Sequence, residues 1–156
     1  MPVAKKLKAF LDEAKVRYHV LAHHEEFTAQ KIAEALHIPG QELAKVVMVK
    51  GDDGRLRMAV LPAPLKVDLS RFAKAAGMKS AKLATEAEFR GAFPECDLGA
   101  MPPFGNLYDL PVYVDRSLGD DEEIVFEAGN HREAVKLAYR DFERLVKPTV
   151  GEFGSR

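Results

Sequence analysis

A single cysteine, Cys96, rules out an intrachain disulfide and a cysteine-based metal cluster in this chain of 156 residues. No apolar run approaches the length that crosses a bilayer. The opening stretch, Met1 to Lys6, turns amphipathic instead of leading into a signal-peptide core, which points to the cytoplasm. Internal repeats, low-complexity tracts and interdomain linkers are also missing, and the length fits one domain with a core that needs no staple. No Ser-His-Asp or Cys-His constellation suggests a protein nucleophile. His19 and His23 have an i, i+4 spacing, but they fall in a strand-to-loop region where that spacing does not form a helical face, so no metal site is expected. An interleaved basic and aromatic motif is absent too, which argues with the formal charge of -1 against a general nucleic-acid binder, DNA included.

What is present is an ordinary globular composition, 47% hydrophobic and 30% charged, with the charge unevenly spread. Residues 45 to 82 hold nine Lys/Arg against three Asp, and residues 83 to 127 hold two Arg against eleven Asp/Glu. A basic segment of this kind can attract a polyanion. Apolar periodicity predicts a first helix through Leu7, Phe10 and Leu11, a strand at Tyr18 to Ala22, and a helix capped by Thr28 that ends near Pro39-Gly40. Lys45 to Lys50 and Arg55 to Pro62 form a hairpin around Gly51-Asp52-Asp53-Gly54. Asp68 or Ser70 caps the next helix, closed by Gly77, and Thr85 with Glu88 makes a capping box for another. Leu110 to Val114 and Ile124 to Glu127 read as strands. Asn130 with Glu133 reads as the cap of a final helix carrying Ala134, Val135, Leu137, Ala138, Phe142 and Leu145, which places His131 in its first turn. Residues 1–150 form the domain, and the tail 151–156 is expected to be mobile. This irregular order of strands and helices indicates an α+β fold.

Two segments stand out chemically. Lys45 shares a strand face with Val47 and Val49, so if those valines point inward an ammonium does too, at a desolvation cost unless something pairs with it. The loop Gly99-Ala100-Met101-Pro102-Pro103-Phe104-Gly105 has glycines that allow close backbone approach and prolines that fix its shape. A cation beside a preformed backbone cradle suits an anionic or carbonyl-bearing ligand. Cys96 adjoins the loop as a small apolar residue without a visible activating partner.

At these residues the sequence resembles the YbaK/prolyl-tRNA-synthetase-associated domain family, across nearly its whole length. Four matches carry the resemblance: His23/His24 followed by Thr28-Ala29 and Ala33-Glu34-Ala35-Leu36; the lysine of Ala44-Lys45-Val46-Val47; the Gly99 to Pro103 spacing; and Ala128-Gly129-Asn130-His131. The resemblance implies a single domain with a mixed, partly barrel-like sheet flanked by helices. It also implies a free-standing hydrolase that cleaves the ester of a mischarged aminoacyl-tRNA without a cofactor, with an aminoacyl-tRNA synthetase as an additional partner. Lys45, Gly99 and Pro103 become the catalytic set. Thr28, Ala100, Met101, Phe104, Gly105, Gly129 and His131 become substrate contacts, with Met101 and Phe104 lining a pocket for the amino-acid side chain. Many members have two adjacent glycines where this chain has Gly99-Ala100, so the extra methyl bears on pocket width.

Ester hydrolysis needs the carbonyl held, its oxygen stabilised and a water delivered. Because the prolines lack N–H groups, backbone donors must come from Ala100, Met101, Phe104, Gly105 or Asn106. Lys45 can neutralise the terminal phosphate, orient the carbonyl or, if deprotonated by burial, act as a base. The resemblance suggests that a hydroxyl of the tRNA's terminal ribose helps activate the water. The other reading is a non-catalytic module that binds tRNA ends, an aminoacyl-like ligand or a protein partner through the same pocket.

Overall fold

The computed structural model describes residues 4–156. Met1, Pro2 and Val3, the start of the stretch read as leading away from a signal-peptide core, lie outside the described residues. In chain order the elements are α1 (Lys5–Ala14), β1 (Tyr18–Ala22), α2 (Ala29–Leu36), β2 (Leu43–Gly51), β3 (Leu56–Pro62), β4 (Lys66–Val67), α3 (Leu69–Ala75), β5 (Ala81–Leu83) and α4 (Glu86–Phe89). They continue with β6 (Val112–Asp115), β7 (Glu123–Glu127), β8 (Glu133–Ala138), α5 (Tyr139–Val146), β9 (Thr149–Gly151) and β10 (Gly154–Ser155). The main sheet is mixed, in the order β1-β8-β7-β2-β3-β6-β9, with β5 pairing the far end of β2. It stays open rather than rolling into a barrel: β1 and β9 are its edges, and a separate β4–β10 pair lies off it.

Local chemistry forms several of these elements. The Thr28 hydroxyl accepts from Lys31 N–H at 3.2 Å, and Asp68 accepts from Arg71 N–H at 3.0 Å, each satisfying an otherwise orphaned donor at a helix start. Thr85 and Glu88 close the full capping box. The hairpin from β2 to β3 turns at Gly54, whose φ of 79° lies in the left-handed region.

β2 is covered on both sides. Its Ala44 and Met48 join the larger core with Met58, Val60, Phe104 and Phe126, while Leu43 and Val49 point the other way, toward α2 and α3 respectively. Lys45 is two residues from both Leu43 and Val47 and therefore shares this second face.

Two further expectations fail. Residues 133–138 are the strand β8 and not the start of a helix, which begins only at Tyr139. Their apolar side chains look helical in sequence because β8 is covered on both faces, with Ala134 packed toward α2 and Val135 and Leu137 in the larger core. Asn130 uses the expected side-chain chemistry, its Oδ1 accepting from Arg132 and Glu133 N–H groups at 2.8 and 2.9 Å, but the turn it closes leads into a strand. The tail is docked rather than mobile. Phe153 is fully buried against Phe72, and Asp115 accepts from the Phe153 and Gly154 N–H groups at 2.8 and 2.7 Å.

Candidate active site

Lys45 lies at the second face of the sheet, where α2 and the turn after β3 flank it. Its side chain lines a cavity of about 560 Å³ with Gln30, Ala33, Glu34, His37, Ala63, Pro64 and Lys66. Burial, and then the neighbouring Lys66 cation, push the Lys45 ammonium below its ordinary value. Among the described residues the Lys45 ammonium has neither a hydrogen bond nor an ion pair, although its backbone is paired with Leu61 in the sheet. A half-buried cation facing a second cation, with the Glu34 carboxylate of the same cavity beyond ion-pair distance, is an arrangement that an incoming anion completes.

The loop from Gly99 to Gly105 approaches from the other side of the sheet. Gly99 is exposed and has φ 88°, while Ala100 to Gly105 are buried. Met101 and Phe104 belong to the large core, where Phe104 packs on the rings of Phe10, Phe126 and Phe142. The structure therefore gives these two side chains an anchoring position rather than one beside Lys45. Gly105 is equally committed, since a Cβ there would meet Val112 Cγ2 at 2.7 Å.

The exposed end of the loop is stitched to the turn between β7 and β8. Gly129 N–H donates to the Ala100 carbonyl at 2.8 Å, and Asp97 N–H donates to the Gly129 carbonyl at 2.8 Å. His131 Nε2 donates to the Leu98 carbonyl at 3.0 Å. His131 sits in this turn, not in a helix, and the ring of the exposed Phe27 lies 4.7 Å from its imidazole. Thr28 follows directly, its hydroxyl occupied by the α2 cap. Gly99, Ala100, Gly129 and His131 thus form one cluster, with Phe27-Thr28 at its edge.

Of the amides expected to act as donors, that of Ala100 is already bound to the Asp97 carbonyl at 3.0 Å. The Gly99 amide, which is not among those expected, donates to the Met101 thioether at 3.2 Å, a weak acceptor. Cys96 contacts the Tyr108 hydroxyl at 3.5 Å, and burial pushes its thiol up, away from the reactive thiolate.

β7 connects the Lys45 cavity with the Gly99 cluster. It runs parallel to β2, with Leu43 opposite Val125 and Ala44 opposite Phe126. Leu43 and Val125 pack together, so by alternation Lys45 and Glu127 lie on the same face of neighbouring strands. Glu127 then leads directly into the Gly129–His131 turn. Sequence reasoning does not single out Lys66, Phe27 or Glu127. Glu127 carries one signal there, a carboxylate at an inward position of a recognisable strand.

Residues 23–145 match the model of the aminoacyl-tRNA editing domain family. The multifunctional Ser/Thr-tRNA deacylase ProXp-y of Escherichia coli K12 is 30% identical over 156 residues, covering 96% of this chain and 91% of that protein. The prolyl-tRNA editing protein ProX of Acetoanaerobium sticklandii is 25% identical over 151 residues, covering 93% of this chain and 91% of that one. In fold, the crystal structure of hypothetical protein APE2540 superposes with a TM-score of 0.87 at 17% identity, covering 97% of this chain and all of that one.

Proposed function

Because this chain belongs to the aminoacyl-tRNA editing domain family, we propose that it hydrolyses the ester of mischarged aminoacyl-tRNA in trans, with Lys45 as the cation that receives the substrate. The observation that carries this reading is the unpaired, half-buried Lys45 ammonium in a cavity shared with Lys66. A tRNA end offers matching chemistry: a phosphodiester next to a ribose that carries an ester carbonyl. Lys45 neutralises the phosphate or orients the carbonyl as a point charge. The Gly99 amide, released from its thioether, donates to the developing negative charge on the ester oxygen. The turn of Gly129 and His131 holds that amide, and Pro103 stiffens the strand of loop behind it. Water is the nucleophile, since no side chain in the cluster is activated to attack.

A pocket sorts small side chains weakly, by about 1–3 kcal/mol per methylene, which makes a separate hydrolytic check after charging useful. Seryl and threonyl esters come first in the test, because the Escherichia coli relative is named for them. For this chain the proposed place of action is the cytoplasm, with a synthetase as the source of the mischarged tRNA. The experiment is a panel of mischarged tRNAs with amino-acid release measured for each. Release of one class supports the hydrolase, whereas binding without release would leave only a tRNA-end binding module.

Lys66→Ala serves as a finer probe. Lys66 is exposed, and a solvent-screened charge contributes little, so KM should rise about two- to fivefold with kcat nearly constant. The rise should shrink as salt is added. A fall in kcat at constant KM would place Lys66 in the chemical step instead.

A further inference from the structure

Glu127 and His131 each have a buried side-chain atom without a hydrogen-bond partner, Glu127 Oε1 and His131 Nδ1, and these two atoms face each other at 3.5 Å. Buried polar atoms are normally satisfied, and two orphans side by side satisfy each other once a proton lies between them. The opposite edge of the imidazole fixes which nitrogen needs that proton. A carbonyl can only accept, so the 3.0 Å contact with Leu98 makes Nε2 the protonated nitrogen and leaves Nδ1 as an acceptor in the neutral ring. Glu127 Oε1 therefore has to bring the hydrogen. Its surroundings favour this: burial pushes the Glu127 carboxyl up to about 8, so it keeps its proton near neutrality.

The remaining restraints converge on the same ring. Glu26 N–H donates to the His131 carbonyl at 3.1 Å, and Phe27 lies against the imidazole. A Cβ built on Gly99 would sit 3.7 Å from the imidazole, so the ring is in contact range of the loop's left-handed residue. The charged groups on the surrounding elements are Lys45 on β2, Asp97 before the loop, Glu25 and Glu26 before α2, and Arg132 and Glu133 after the turn. Arg132 reaches Glu25 at 3.9 Å, and Glu133 accepts from Asn130 at 3.3 Å. Among the described residues only His131 comes within ion-pair distance of Glu127.

We propose that Glu127 is a positioning residue: it shares one proton with His131 Nδ1, holds the imidazole as the Nε2–H donor to the Leu98 carbonyl, and so fixes the Gly99 turn on which the ester is held. This rests on the deacylase reading for its catalytic consequence but not for the proton itself. A displacement of about 1 Å in a positioned group can cost 10²-fold in rate. Glu127→Ala is therefore expected to lose about 10- to 100-fold in kcat with a smaller change in KM. Glu127→Gln presents an amide N–H to Nδ1 and should recover most of that loss. The amide cannot be deprotonated, so the ratio of the E127Q activity to that of the wild type should climb as pH rises through about 8, where the wild-type carboxyl ionises.

The test combines single-turnover deacylation by the wild-type, E127Q and E127A proteins between about pH 6.5 and 9, a window that brackets the Glu127 ionisation, with long-range ¹⁵N spectra of His131 in each. Support consists of rescue by E127Q together with a His131 Nδ1 resonance that moves near pH 8 in the wild type and stays fixed in E127Q. Turnover of E127A within about twofold of wild type, E127Q as poor as E127A, or a Nδ1 resonance that does not move near pH 8 overturns it. If the wild type releases no amino acid from any tRNA, the deacylase reading fails on its own, and the spectra still decide the shared proton.

Discussion

Lys45→Ala is expected to lose on the order of 100-fold in deacylation, the scale seen when one preorganised electrostatic contact to a reacting centre is removed. Its stability should stay the same or rise by up to about 1 kcal/mol. The native ammonium is partly desolvated, faces Lys66 and has no carboxylate within ion-pair distance. Lys45→Met makes the same comparison with the volume of the stem kept, and should reproduce both results. Amino-acid release and urea unfolding measured on the same samples check them together. A large loss of stability with the activity loss would mean that Lys45 supports the fold, whereas near-wild-type turnover would remove it from the reaction. Stability given up at a position that gains activity is the expected signature of a site.

Phe153→Ala is expected to destabilise the protein by roughly 3–5 kcal/mol, the usual cost of emptying a buried aromatic position. The ring is fully buried and packs edge-on against Phe72 at 5.1 Å, so little can relax into the gap. The backbone beside it is held by Asp115, whose carboxylate accepts from Phe153, Gly154 and Ser117 N–H groups. Burial alone would raise the Asp115 carboxyl, but these hydrogen bonds outweigh it and hold the group below its ordinary value. Asp115 therefore stabilises the fold at neutral pH, and its contribution fades as pH falls from the ordinary 3.8 through that lowered value. Urea midpoints of the Phe153→Ala protein at constant m check the first effect. An unchanged midpoint would show that the tail is not part of the cooperative unit. Glu127 runs in the opposite sense. Its folded state keeps a proton between the ordinary 4.5 and about 8, so stability falls as pH rises through that window, and Glu127→Gln should flatten the decline.

The helix caps are legible in the sequence because Thr28, Asp68 and Thr85 act within three residues of themselves. The face of Lys45 is legible from strand alternation alone. What lies across from that face is not: nothing local tells on which side of the sheet the Gly99 loop passes, and Phe104 anchors it in the opposite layer. Residues 133–138 mislead for a related reason. A strand covered on both sides loses the period of two that identifies it, and the Asn130 turn then mimics a helix start. The tail reads as mobile because one buried phenylalanine among glycine, serine and charged residues carries no pattern; its partner carboxylate, Asp115, is 38 residues away. The Glu127–His131 pair needs coordinates because the turn between them brings their side chains together only once β7 and β8 are paired.

The Gly51–Gly54 hairpin lies about six residues beyond Lys45, roughly 20 Å along an extended strand. It nevertheless determines which way the ammonium points, because adding or deleting a single residue there would press β2 to slip against β3. The slip would turn the charge into the aromatic layer and present Ala44 or Val46 to the cavity. Changes in the length of that distant bend should accordingly silence the protein as thoroughly as losing the lysine, with every side chain around the ligand still present.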